Sequence, residues 1–487
     1  MSLHPAALLN ASQSQAADQA AIKNGIPSLE LMEKAGRAVT DVICECYPIQ
    51  TTLILCGIGN NGGDGFAVAR LLADRGWPVT VCLHGDNGDM KEDAVHMRGL
   101  WEQAGGKTYI FDPELLDGKS LIVDALYGTG LSRDLKAADK ELVAHINNSK
   151  LPVVAVDIAS GVDSTTGAIK GVAIRAAHTV SFVRPKMGHV LLPGKEYAGQ
   201  LHVFDIGISG DDITPDYWLN IPALWREHYP FPTANSHKYS RGHAFIIGAP
   251  LASIGASRLC AQGALRAGAG LVSVACEPDT IPAYALTLTA IMTKPYQSDQ
   301  ELDSWLGDEH VRAFCIGPGA GATEKTRERV VQLLKYKKPC VIDADGLSAF
   351  KNGAKILFDA IKGPTVLTPH EGEFTRLFKH EGSRIQRAQA AAKESGSVIV
   401  LKGNDTIIAS PDGRVAINAE APVWLATAGS GDVLAGIITG LLAQSMPAFE
   451  AACAGVWLHS RAASHFGPGL IAEDIPSYLP KAIKDLY

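Results

Sequence analysis

The chain has 487 residues, 46% of them hydrophobic and 20% charged, with a formal net charge of −7 at neutral pH. That length exceeds one ordinary core and points to two domains of roughly 200 to 270 residues each. The acidic balance and the lack of any basic run exclude an electrostatic claim on nucleic acid or on an anionic membrane.

The first residues, "MSLHPAALLNASQSQAADQ", lack the basic start and sustained apolar core of a signal peptide. The longest apolar run, "VLAGIITGLLA" at 433–443, is too short to span a bilayer. Nine cysteines are scattered along the chain. Cys44 and Cys46 form a C-x-C, but there is no C-x-x-C, and no Cys/His cluster has metal-site spacing. Reduced, mostly buried thiols in a cytoplasmic protein are the expectation.

"SLELMEKAGRAVTDVICECY" has helical periodicity and is expected to pack on the outside of a sheet. Candidate strands follow in "TTLILCGIG", "PVTVCLHG", "SLIVDALYG", "PVVAVDIAS" and "HTVSFV", separated by helical patterns such as "FAVARLLADRG" and "AVHMRGLWEQAGG". Short apolar strands alternating with helices predict a parallel, doubly wound sheet with functional loops at the strands' C-terminal ends. The pattern weakens after "LHVFDIGIS". Residues 210–240, with several prolines and aromatics, read as a linker, placing the boundary near residue 220 between domains 1–215 and 225–487. A second α/β alternation runs from "GHAFIIGAP" through "GLVSVAC", "AFCIGPG", "CVIDADG", "TVLTPH" and "SVIVLKG" to a helix opening at "GSGDVLAG". The two halves share no motif, so no tandem repeat is expected.

The loop "CGIGNNGGDGFAVAR" contains the G-x-G-x-x-G of a dinucleotide fingerprint. Two features argue against an ordinary dehydrogenase. Asp64 puts a carboxylate where a pyrophosphate takes the helix amides, and the next strand ends without a ribose-binding carboxylate, Asp86 lying beyond its glycine turn. Asn60 and Asn61 instead supply carbonyls suited to a hard cation or to polar ring substituents. Asp124 ends one buried strand ahead of Gly128-Thr129-Gly130. Asp157 ends another, ahead of Ser160, Gly161 and Asp163. Carboxylates at neighbouring strand ends converge on a crevice.

Together, "GxGNNGGDGxxxAR", "VDALYGTGL" and "VDIASGVDSTTG" resemble the NAD(P)H-hydrate epimerases, YjeF N-terminal-type domains, over roughly residues 10–210, with "SLELMEKAGRAV" and "RPKMGHVLLPG" included. The resemblance implies a Rossmann-like fold, interconversion of R and S nicotinamide dinucleotides hydrated at ring carbon 6, and a bound potassium ion. Asn60, Asn61, Gly62, Gly63 and Asp64 would line the substrate. So would Gly128, Thr129, Gly130, Leu131, Ser132, Arg133 and Asp134, with Asp157 beside them. Asn61, Asp124 and Ser160 would hold potassium. Epimerisation needs a group that assists loss and return of water or a proton; Asp124 is the first candidate and Lys186 the second.

In the second half, Ala428-Gly429-Ser430-Gly431 opens a helix with Asp432 in its first turn. Free amides there can hold a transferring phosphoryl group while the aspartate deprotonates a hydroxyl. Around it stand "FCIGPGAGAT", "VIDADGLSAF" (Asp343, Asp345), "VLTPHEGEFTRL" (His370, Glu371, Glu373) and "VIVLKGNDTIIA". No Walker A motif occurs, which excludes a P-loop NTPase. Over roughly residues 228–487, "KYSRGHAFIIGA", "GALRAGAGLVSVA", "LTPHEGEFTRL", "LKGNDTIIA" and "ATAGSGDVLAGIITGLLAQ" resemble the ribokinase-like ADP- or ATP-dependent NAD(P)H-hydrate dehydratases. The resemblance implies that a nucleotide, expected to be ADP with Mg2+, phosphorylates the S-hydrate's hydroxyl, after which phosphate is eliminated to restore NAD(P)H. Asp432 would be the base. Ala256, Gly319 and His370 would contact the hydrate, and Lys402, Gly403, Asn404, Asp405, Thr406 and Gly431 the adenine nucleotide. Where that family has an Asn-Pro-Gly-type segment, this chain has Pro422-Val423-Trp424.

The expectation is thus a bifunctional, cytoplasmic, homo-oligomeric repair enzyme acting on NAD(P)H hydrates. A ribokinase-like small-molecule kinase and a non-catalytic dinucleotide-binding scaffold remain as alternatives.

Overall fold

In the computed structural model, which describes residues 4–209 and 213–487, the chain divides into two compact units, Met1–Asp216 and Tyr217–Tyr487. The first is built on seven strands: β1 (Thr52–Cys56), β2 (Val79–Leu83), β3 (Thr108–Ile110), β4 (Leu121–Ala125), β5 (Val153–Val156), β6 (His178–Phe182) and β7 (Gln200–Phe204). Their order is β3-β2-β1-β4-β5-β6-β7 and every neighbouring pair is parallel. All residues of β1, β4 and β5 are buried, which is why these strands are continuously apolar rather than alternating. The order reverses between β1 and β4, so a ligand crevice is expected at the C-terminal ends of those strands.

Helix α1 (Ala11–Lys23) is capped by Asn10, whose side chain accepts from the Gln13 amide. Helix α2 (Ser28–Cys46) buries Leu31, Met32, Ala35, Val39, Val42 and Ile43, an i, i+3, i+4 stripe facing the sheet. Helix α3 (Asn60–Asp74) follows β1 after three residues. The loop between them is tight: a Cβ on Gly62 would lie 1.8 Å from the Gly57 carbonyl oxygen, so only glycine fits. Helices α4 (Glu92–Gln103) and α5 (Ala137–Ser149) complete the unit.

The second unit contains β8 (Tyr217–Leu219), β9 (His243–Ile247), β10 (Leu271–Cys276), β11 (Met292–Pro295), β12 (Val311–Ile316), β13 (Cys340–Ile342), β14 (Thr365–Leu367), β15 (Val398–Leu401), β16 (Thr406–Ala409) and β17 (Val415–Asn418). They are ordered β8-β17-β16-β15-β14-β13-β12-β9-β10-β11. The sheet is parallel from β15 to β11, whereas β16 runs antiparallel to both β15 and β17. Helix α6 (Ile254–Arg266) follows β9, and α7 (Glu371–Leu377) follows β14. Helix α8 (Ser430–Ala443) buries every residue from Val433 to Ala443, because α6, α9 (Ala448–Phe466) and the sheet all pack against it. A helix apolar on every side is stable only when enclosed in this way.

The stretch 210–240 is not the linker that the sequence suggested; its residues 210–212 lie outside the described ones. Strand β8 pairs with β17, and Asn220 is buried among partners. Its Nδ2 donates to Asn418 Oδ1 (3.0 Å) and to the Cys453 carbonyl (2.9 Å), and its Oδ1 accepts from Trp225 Nε1 (3.1 Å). Trp225 itself is fully buried. Prolines and exposed charges disguised the segment, while one amide and one indole fasten it.

Candidate active sites

A cavity of about 1740 Å3 opens at the C-terminal ends of β1, β4, β5 and β6. This exceeds the roughly 300–1,000 Å3 of a drug-sized pocket and admits an elongated ligand. Asn60, Asn61 and Asp64 line it from the start of α3, Gly128 to Arg133 from the loop after β4, and Asp157 and Lys186 from the strand ends beyond. Gly62, Gly63 and Asp134 shape or flank these loops without lining the cavity.

Lys186 is the anchor of this site. Its ammonium is buried and donates to Asp157 Oδ1 (2.6 Å), Ser181 Oγ (2.8 Å) and the Phe182 carbonyl (3.2 Å), so all three protons are satisfied. Burial pushes the Asp157 carboxyl up most strongly, but the charge and hydrogen bond of Lys186, with His189 and the Thr129 amide, together hold it below the ordinary range. The other oxygen of Asp157 accepts from the Thr129 amide (3.0 Å). His189, lowered to about 4 by burial and by Lys186, is neutral; its Nε2 donates to the Asp157 carbonyl (3.0 Å) and its Nδ1 accepts from the Lys186 amide (3.0 Å).

Asp64 has the opposite environment. Burial first, then the negative charges of Asp157 and Asp18, push its carboxyl well above the ordinary value, and its side chain has no hydrogen-bond partner among the described residues. Two carboxyls facing one cavity are therefore shifted in opposite directions, Asp64 up and Asp157 down. Asp18 was missed in the sequence. It lines the same cavity from α1, a solvent-exposed residue whose carboxyl is raised to about 6 by partial desolvation at the cavity mouth. No motif marks it, and only the docking of α1 brings it into place.

Asp124, the first sequence candidate for the base, does not face this cavity. It is fully buried, and both oxygens are engaged: Oδ1 accepts from Ser160 Oγ (2.6 Å) and the Leu126 amide (3.3 Å), and Oδ2 from the Ser160 amide (2.8 Å). Burial raises it to about 6. A strand-end aspartate can look out or in, and one residue of register decides which. Asn61 is 9% exposed, and its Nδ2 has no partner among the described residues. Amide, carboxylate and hydroxyl oxygens from Asn61, Asp124 and Ser160 form a hard donor set. The fit to a hard cation such as potassium rests on these oxygens, since the unpartnered Nδ2 of Asn61 is a hydrogen-bond donor.

In the second unit, Gly429 takes a left-handed conformation (φ 87°) that turns the chain into α8. Asp432 stands in the first turn, raised to about 6 by burial and then by the charge of Asp343, against the opposing pull of Lys402. Lys402 donates to Asp343 Oδ1 (2.8 Å), an oxygen that also accepts from Thr368 Oγ1 (2.7 Å). A Cβ built on Gly431 would lie 3.4 Å from Lys402 Nζ, so the ammonium sits over the free amides that open α8. Cation and amides together make an anion cradle with a base at its edge. From α9, His459, lowered to about 4 by burial, donates through Nε2 to the Ser430 carbonyl (2.9 Å) and braces the loop.

Ala256 and Gly319 meet: a Cβ on Gly319 would stand 3.1 Å from that of Ala256, and Ser253 Oγ donates to the Gly319 carbonyl (2.7 Å). His370 is the cap of α7. Its Nδ1 accepts from the Gly372 amide (2.9 Å), and its Nε2 lies 3.5 Å from Glu373 Oε1. In the loop after β15, Thr406 Oγ1 donates to the Gly403 carbonyl (2.7 Å), and Asp405 is paired with Arg384. Asn404 projects outward. Val423 and Trp424, 61% and 39% exposed, form a short turn just before the catalytic loop.

Residues 28–188 match the family described as YjeF-related protein N-terminus, and residues 244–484 match the family described as NAD(P)H-hydrate dehydratase. The bifunctional NAD(P)H-hydrate repair enzyme Nnr of Salinibacter ruber is 35% identical over 526 residues, covering 99% of this chain and 96% of that one. Its counterpart from Escherichia coli is 35% identical, covering 94% and 90%. Among solved structures, an ADP/ATP-dependent NAD(P)H-hydrate dehydratase from Bacillus subtilis, co-crystallised with ATP and Mg2+, is 29% identical with a TM-score of 0.50, covering 55% of this chain and 98% of that one. A ribokinase-like superfamily protein from Enterococcus faecalis gives a TM-score of 0.51 at 25% identity, covering 56% and 98%.

Proposed function

Because the chain belongs to the family of bifunctional NAD(P)H-hydrate repair enzymes, we propose that its two sites divide the repair between them. The first unit equilibrates the R and S hydrates at ring carbon 6, and the second dehydrates the S form. The observation that carries this reading is the contrast in proton affinity. Unit one faces into one cavity an Asp64 whose proton affinity is raised and an Asp157 whose proton affinity is lowered, and unit two holds an aspartate titrating near 6 beside an anion cradle.

The hydrate's carbon 6 bears a hydroxyl beside the ring nitrogen. Proton donation from Asp64 to that hydroxyl breaks the C–O bond as the nitrogen lone pair forms C=N, and water leaves. Water then adds to either face of the flat ring, with Asp157 taking its proton. The reverse turnover returns the proton to Asp64. Lys186 holds Asp157 ionised in the resting site, ready to accept that proton from water. Asn61, Asp124 and Ser160 would hold potassium, whose charge would keep Asp124 ionised and the Asn61 loop ordered.

In the second unit, Asp432 takes the proton of the S-hydrate's hydroxyl, and that oxygen attacks the β-phosphorus of ADP. AMP leaves. The phosphate ester then departs as the proton on carbon 5 is lost, giving NAD(P)H, AMP and phosphate. Lys402 and the amides opening α8 hold the transferring oxygens. The carboxylates around the site, Asp343, Asp345, Glu373 and Asp432, face one lysine. This excess of negative charge suits a nucleotide that arrives with Mg2+, which would offset phosphate charge. Ala256, Gly319 and His370 would contact the hydrate, and the Lys402–Thr406 loop with Gly431 the nucleotide. Nine free thiols, seven of them buried, support a reducing, cytoplasmic setting.

The test is the near-ultraviolet absorbance of reduced nicotinamide, followed on a mixture of R and S NADH hydrate with ADP, Mg2+ and K+. Recovery of NADH from both epimers is expected. Recovery of the S fraction alone would remove the epimerase assignment. Nucleotide consumption on another hydroxylated substrate without NADH would replace the dehydratase by a kinase.

A further inference from the structure

At the N-terminal edge of the first unit's sheet, away from the cavity, two imidazoles and a thiol meet. His178 opens β6. His202 lies on β7, where it pairs with Val180, while His178 pairs with Gln200. The two histidines are thus diagonal neighbours on one face of adjacent strands. His178 Nδ1 and His202 Nε2 face each other at 3.1 Å. Cys46, the last residue of α2, brings its Sγ to the pair, and the three ligand atoms all lie within 4.8 Å of one another. Tyr47 covers one side edge-on, its ring centroid 5.7 Å from that of His178 at 85°.

We propose that Cys46 Sγ, His178 Nδ1 and His202 Nε2 form a binding site for a borderline divalent cation of the Zn2+ type. Zn–N bonds of about 2.0–2.1 Å in a tetrahedron set neighbouring ligand atoms roughly 3.3 Å apart, close to what the two nitrogens already show. One thiolate with two imidazoles selects zinc-like ions over Mg2+, Ca2+ or K+, which take oxygen. Three protein ligands leave the fourth position to water. The site touches no residue that lines the cavity, so its role is mechanical. It clamps the end of α2 to β6 and β7, and the same helix presents Leu31, Met32 and Ala35 to the cavity about three to four turns earlier. Nothing in the repair chemistry requires this ion, and the inference stands independently of that reading.

Metal-stripped full-length protein titrated with Co2+ decides the matter. One equivalent should produce the thiolate-to-cobalt charge-transfer band and the intense visible bands of a tetrahedral site, both abolished by Zn2+. Cys46→Ser should lose the charge-transfer band and His202→Ala the tetrahedral bands. Cys44→Ser, one helical step away, should keep both. Zn2+ should raise the thermal unfolding midpoint of the wild type and of Cys44→Ser but not of Cys46→Ser. The proposal is overturned if the wild type shows no thiolate band, or if that band survives Cys46→Ser. Far-ultraviolet circular dichroism of each variant excludes unfolding as the cause of a loss.

Discussion

The two units use the same pair of side chains, an aspartate and a lysine at strand and helix ends, and wire them differently. In the first, Lys186 binds the cavity-facing Asp157 directly and favours its ionised form at rest. In the second, Lys402 is paired with the buried Asp343, and Asp432, the base proposed above, is left to titrate near 6. A carboxylate held ionised at rest suits a site in which it accepts a proton from water while its neighbour donates one. A carboxylate near neutrality suits one that must take a proton from a hydroxyl each turnover. Where the lysine is placed therefore sets the chemistry more than which residues are present.

The sharpest way to break this comparison is Asp432→Asn, which should lower dehydration by roughly 10²–10⁴-fold while leaving nucleotide binding and epimerisation intact; single-turnover NADH recovery from pure S hydrate reads it. Turnover near the wild-type rate would remove Asp432 as the base. Next is Lys186→Met. Stripping a buried carboxylate of its cation costs about 3–5 kcal/mol, so urea unfolding of the first unit should shift accordingly and epimerisation should vanish. Lys186→Met with Asp157→Asn should recover much of the stability and none of the activity.

Ser160→Ala removes one donor from buried Asp124 and should destabilise the first unit by about 1–3 kcal/mol, measured in the same denaturant titration. The pH profile gives the finest test. The active form of Asp432 is the ionised one, so dehydration kcat/KM should fall roughly tenfold per pH unit below about 6. Asp343→Asn removes a charge that raises Asp432, so the acid limb should move to lower pH. A limb that stays in place would mean that another group titrates.

Much of the architecture was legible because enclosed parallel strands are apolar throughout and end in glycine or carboxylate; β1, β4, β5, β9 and β12 stand where the runs "TLIL", "LIVDA", "VVAV", "HAFII" and "VRAFCI" are. The loop carrying Asp432 was equally plain, since glycines and an acid at a helix start have a local signature. What escaped was non-local. The inward turn of Asp124 depends on its register against Ser160, which two separate strands determine. Asp18 carries no motif at all. The Cys46, His178 and His202 cluster has no spacing to read, since its members come from a helix end and two strands that only the fold brings together. The 217–225 segment was hidden by its prolines, because composition reports exposure on average and not one buried indole.

That segment also decides where the protein can be cut. A dehydratase unit excised at residue 225 would leave behind β8 and Asn220, baring the β17 edge and orphaning Asn418 Oδ1 inside its own core. One begun ahead of Tyr217 carries its closing strand with it. For gene fission, domain transplantation or limited proteolysis, the usable seam therefore lies before the aromatic stretch, and an enzyme half that starts after it should be insoluble however complete its catalytic residues are.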